Sequence, residues 1–156
     1  MPYLRDFWKP FNFLLFMLIA TPVLAHSVQM SGDVGATMHI EPHDDPHAGR
    51  PTTAWFITTH RGGRILTLAK CNCRLEIYKV PHDRNARPLL TPDLVAVMGD
   101  NYQGIPGAKI TFPQVGAYEL RLSGSPKYPP KNSNRELPYN DRFTPFTLTY
   151  KVIVLP

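Results

Sequence analysis

The chain has 156 residues, a net charge of +5, 43% hydrophobic residues and 19% charged ones. That balance excludes a disordered polyelectrolyte and fits one domain with one core. The 17 prolines exclude long helices through the body, since proline lacks the N–H and clashes with the preceding turn.

Residues 1–25 read as a helical signal peptide. Arg5 and Lys9 precede an apolar run through Leu24, and compact residues sit at Val23 and Ala25, the two positions where signal peptidase needs room. The run from Phe11 to Leu24 is shorter than the ~20 residues a spanning helix needs. An uncleaved membrane anchor is the competing reading. Cleavage after Ala25 leaves residues 26–156 as an exported domain in a periplasm, thylakoid lumen or extracellular space, with no stable membrane span. Its Lys and Arg are scattered, and no nucleic-acid motif is present, so no nucleic-acid partner is expected.

Val34, Ala36, Met38 and Ile40 alternate with polar or small residues, the period of a half-buried strand. Residues 42–51 read as a loop carrying His43, Asp44, Asp45 and His47. Thr52–Thr59, with Trp55, Phe56 and Ile57, reads as a core strand. His60-Arg61-Gly62-Gly63-Arg64 reads as a turn, and Ile65–Leu68 as a short strand.

Cys71, Cys73, Leu75 and Ile77 share the apolar face of a further strand. Same-face neighbours on a flat strand stand ~6.5–7 Å apart at Cα, the edge of disulfide reach. Three states are open for the pair: a disulfide requiring a local twist, two buried thiols, or a soft-metal site such as copper(I) with a nearby histidine.

Leu94–Met98, Ala108–Phe112 and Glu119–Leu122 complete the middle of the chain, with residues 99–107 read as loop. Ser123–Arg142 reads as a long loop, either pinned by its aromatic residues or, over residues 125–142, docking a protein partner. Phe146, Leu148, Tyr150, Val152 and Val154 face one way on the last strand. Seven or eight short strands and no helix after the leader predict an all-β, immunoglobulin-like antiparallel sandwich. The Gly116-x-Tyr118 step is the sequence pattern of a tyrosine corner.

The Pro42–Pro51 loop, the Trp55-Phe56 strand and Gly116-Ala117-Tyr118-Glu119-Leu120 resemble the small exported immunoglobulin-like domains of the YtkA type. More distantly they resemble CopC-type periplasmic copper carriers. The latter resemblance implies copper(II) on the mature amine and imidazole of His26.

The residues themselves offer a related chemistry. An amino-terminal His26 presents two nitrogens to one ion, which copper(II) favours, and His43, His47, Asp44 and Asp45 lie downstream. The plainer reading of that stretch is a solvated, turn-forming loop. No nucleophile elbow, zinc-protease helix or phosphate loop occurs. The sequence therefore points to a non-enzymatic binding domain, with copper as candidate cofactor, or to a structural subunit of a larger extracytoplasmic assembly.

Overall fold

The computed structural model describes residues 28–128 and 136–156. The proposed signal and His26 lie outside the described residues. Among those residues there are nine strands: β1 (Val28–Ser31), β2 (Val34–Glu41), β3 (Pro51–His60), β4 (Arg64–Ile65), β5 (Cys71–Lys79), β6 (Val95–Gly99), β7 (Tyr102–Thr111), β8 (Gly116–Pro126) and β9 (Phe146–Val154). Two short 3-10 turns, Leu68–Lys70 and Tyr139–Asp141, complete the set. No helix among the described residues is long and apolar enough to cross a membrane.

The strands form two antiparallel sheets. One runs β1-β2-β3-β7-β6, with β4 pairing β3; the other runs β5-β8-β9. Leaving out β1 and β4, this is the strand order of a constant-type immunoglobulin sandwich. Alternation builds the core between the sheets. Phe56 and Ile110 from the first sheet meet Leu75, Leu120, Leu122, Leu148 and Tyr150 from the second, all buried. The Tyr150 hydroxyl also donates across the gap to the Ala36 carbonyl at 2.9 Å. The tyrosine corner is present: the Tyr118 hydroxyl donates to the Gln114 carbonyl at 2.8 Å and faces the Gln114 amide at 3.3 Å.

Several elements differ from the sequence expectation. The strand expected over Ile65–Leu68 is shorter and earlier, Arg64–Ile65; after one more bond, from the Leu66 amide to the Thr58 carbonyl at 2.7 Å, the chain coils into the Leu68–Lys70 turn. Strand β7 begins at Tyr102, inside the stretch read as loop, although it contains Gly104, Pro106 and Gly107. Gly107 is needed there, because a Cβ would sit 2.7 Å from a Val97 methyl. Pro106 lies just past Gly107, the end of the pairing with β3, where the lost N–H breaks no ladder bond to that strand. Trp55 is buried on the face opposite Phe56, outside the inter-sheet core, with Gly99 against its ring and His39 stacked on it at 4.2 Å.

Cys71 and Cys73 are joined as a disulfide with Cα atoms 5.1 Å apart, closer than on a flat strand. The bridge closes so short a loop that its effect on the unfolded chain is only on the order of 1.5 kcal/mol. Space for it comes from Gly124, directly opposite Cys73. A Cβ there would meet the Cys71 sulfur at 2.6 Å and the Phe146 ring at 2.7 Å. We expect Gly124→Ala to destabilise the domain by about 1–3 kcal/mol through overpacking, read as a lower urea midpoint. An unchanged midpoint would mean that the sulfur and ring have room to move.

Candidate functional site

The described residues singled out for metal binding do not come together; His26 lies outside them. Among the described residues no group of three or more His, Cys, Asp or Glu side chains is placed to hold an ion. Asp44 turns inward on its own loop, where its carboxylate accepts from the Ile40 amide at 2.6 Å. His43 and Asp44 both take positive φ in that turn, and Asp45 is exposed. His47 bridges Leu155 and its Nδ1 contacts the Pro156 carbonyl oxygen. Cys71 and Cys73 spend their sulfurs on each other. As a disulfide they offer no thiolate, the form that binds soft metals.

A different site is assembled at one end of the sandwich. The end of β3 and the turn after it supply His60, Arg61, Gly62 and Arg64; the Tyr139–Asp141 turn and the next residue supply Tyr139, Asn140 and Arg142. Together they line a cleft of about 220 Å³. Gly62 and Gly63 both have φ near +73°, a left-handed turn that glycine permits at no steric cost.

The cleft is buttressed from the β1–β2 hairpin. Asp33 accepts from the Thr144 amide at 2.9 Å and from the Thr144 hydroxyl, and from Arg61 Nε at 2.7 Å. The Thr144 bonds first, then Arg61, hold its carboxyl well below the usual carboxylate range. Gly32 before it has φ +60°, and a Cβ there would strike the Thr144 hydroxyl at 2.6 Å. On the other flank Lys70 pairs with Asp141 at 2.6 Å, tying the two 3-10 turns together. Arg142 donates to the Leu137 carbonyl at 3.0 Å and reaches Glu136 at 3.3 Å.

His60 packs against Phe143, ring centres 5.8 Å apart, and is only 4% exposed. Its Nδ1 is buried and has no hydrogen-bond partner. Burial pushes the imidazole pKa down, against smaller upward pulls from Asp141 and Asp33. An unsatisfied buried polar atom costs about 1–3 kcal/mol, and native proteins keep few of them.

A second groove, about 310 Å³ and lined by Leu90, Thr91, Pro92, Lys109, Ile110 and Thr111, carries one charged side chain. The His60 cleft has the denser chemistry. The turn expected over residues 60–64 is confined to 61–63, because His60 and Arg64 pair as the last residue of β3 and the first of β4. The signal that was available is the three charged or titratable groups crowded around Gly62-Gly63.

No family model matches this sequence, and no curated protein does. Solved structures that share its fold include a DUF4426 family protein from Pseudomonas aeruginosa PAO1. It has 8% identity and a TM-score of 0.52 over 83% of this chain and 94% of that one. FetP from uropathogenic Escherichia coli strain F11, recombinantly expressed in the periplasm, has 12% identity and a TM-score of 0.53 over 84% and 94%. Identities this low speak for the fold. Neither structure is a YtkA or CopC domain, and what both share with this chain is the sandwich fold.

Proposed function

We propose that this is an exported, non-enzymatic binding domain that holds a small ligand in the His60 cleft. The observation that carries it is the convergence there of two distant segments, residues 60–64 and 139–142, on a buried imidazole with an unsatisfied nitrogen. Export is supported by the leader-like residues 1–25 and by the Cys71–Cys73 disulfide, a bond that persists in oxidising compartments. The copper(II) reading rests on the amine and imidazole of His26, because His47 contacts the Pro156 carbonyl oxygen and no cluster of ligands forms among the described residues.

The test is a ligand screen on the processed protein, followed by amide NMR. Binding in the cleft shifts the Gly62, Gly63, Arg64 and Asn140 amides and leaves Leu120, in the core, unmoved. A screen of anionic, neutral and cationic small molecules that moves none of those amides overturns the reading. Copper(II) in the same screen addresses His26, and uptake is then lost when one residue is added before it.

A docking role on a larger assembly is the second reading. It is supported by Tyr128 and Tyr139, 68% and 72% exposed beside the late segment.

A further inference from the structure

We infer that the ligand of the His60 cleft is a small oxyanion, a molecule ending in one carboxylate or phosphate held by Arg64 and Arg142. The inference rests on the cleft being the binding site, and adds its charge and chemistry.

The charges at the rim decide the sign. Three carboxylates stand near it; two already have a cation, Asp33 taking Arg61 at 2.7 Å and Asp141 taking Lys70 at 2.6 Å, and the third is Glu136. Arg64 makes no ion pair among the described residues. Arg142 reaches only Glu136, whose side chain is almost wholly in water, and solvent screening weakens such a pair. Two guanidinium groups therefore remain to act on a guest. Their planar forks match the paired oxygens of a carboxylate or phosphate.

The floor adds selectivity for a small guest. His60 is buried and, with its pKa pushed down, contributes a neutral ring rather than further charge. Tyr139 and Asn140 supply polar groups at the mouth. At about 220 Å³ the space falls below the ~300–1,000 Å³ of sites for drug-sized molecules. It suits a compact anion. The supports are rigid: Asp33 is clamped by Thr144, and Arg142 is anchored through its Nε to the Leu137 carbonyl. That preorganisation lowers the entropy cost of binding.

The experiment titrates the full processed protein with inorganic phosphate, benzoate, benzamide and benzylammonium at low salt, following the amides of Gly62, Gly63, Arg64 and Asn140. Phosphate or benzoate should saturate, and which of the two binds tighter separates a phosphate site from a carboxylate site. Arg64→Gln and Arg142→Gln should each weaken binding about tenfold or more, the equivalent of a charge-assisted hydrogen bond. Both side chains are exposed, so both variants should fold. Arg121→Gln, on the outer face of the other sheet, should bind as the parent does. Saturation by benzamide or benzylammonium alone overturns the oxyanion inference while leaving a binding cleft. Unchanged anion affinity in the Arg64→Gln, Arg142→Gln double variant overturns it too. No response to any probe removes the cleft reading along with it.

Discussion

Tyr150→Ala should lower the stability of the domain by about 3–5 kcal/mol, the usual cost of emptying a buried aromatic site. The ring is 2% exposed, lies 5.7 Å from Phe56 centre to centre, and fills space between the two sheets. Few neighbours can collapse into the void, because Ala36, Phe56 and Leu120 sit on β2, β3 and β8, each hydrogen-bonded to a strand on both sides. Tyr150→Phe keeps the volume and removes only the hydroxyl bonded to the Ala36 carbonyl. That change should cost about 0.5–1.5 kcal/mol. The contrast separates packing from hydrogen bonding at one position. Urea denaturation reads both, and the midpoint should fall with little change in slope. Burial also raises the Tyr150 phenol pKa, so its ionisation in base should follow unfolding rather than precede it. A loss under 1 kcal/mol for Tyr150→Ala would mean the sheets are not joined through this ring.

The sandwich was legible in the chain because its strands bury one face each. Phe146, Leu148, Tyr150, Val152 and Val154 alternate without a break, and all five are buried. Tyr118 was legible because a corner is a local device: donor and acceptor are four residues apart. The disulfide was one of three open states, since adjacent same-face positions on a flat strand stand at the limit of its reach. Strand β7 was hidden by Gly104, Pro106 and Gly107, residues that signal turns unless the partner strand is known. Strand β1, Val-Gln-Met-Ser, is too short for a period and stays mostly exposed.

The cleft was hidden for a different reason. His60 is placed by β3, Asp33 by a hairpin earlier in the chain, and Arg142 by a turn far beyond it. No window of sequence contains all three. The His43–Asp44–Asp45–His47 run, by contrast, is dense in ligand-type residues. Its carboxylate at Asp44 serves the turn and His47 serves the C-terminal end. Local density of ligand chemistry thus marks a loop whose described side chains serve the turn and the chain end, whereas the cleft arises only from long-range convergence.

Asp33 links that convergence to pH. Its carboxyl is held below the ordinary value by Thr144 and then Arg61. The unfolded chain, with an ordinary aspartate near 3.9, then binds the proton more readily than the folded one does. Stability from this group is complete above the unfolded value and declines as pH falls through it toward the folded value. Charge-assisted hydrogen bonds of this kind contribute about 1.5–3 kcal/mol, and most of that comes from Thr144, because Arg61 is largely in solvent. Asp33→Ala should therefore lose about that much at pH 7. Below pH 4 the gap between parent and variant should narrow steadily, since the parent alone is being titrated at this site. Urea midpoints at pH 7, 4, 3 and 2 measure it. A gap that stays constant down to pH 2 would show that Asp33 holds the β1–β2 hairpin to the Thr144 segment without its charge, and the cleft would then owe its rigidity to packing instead.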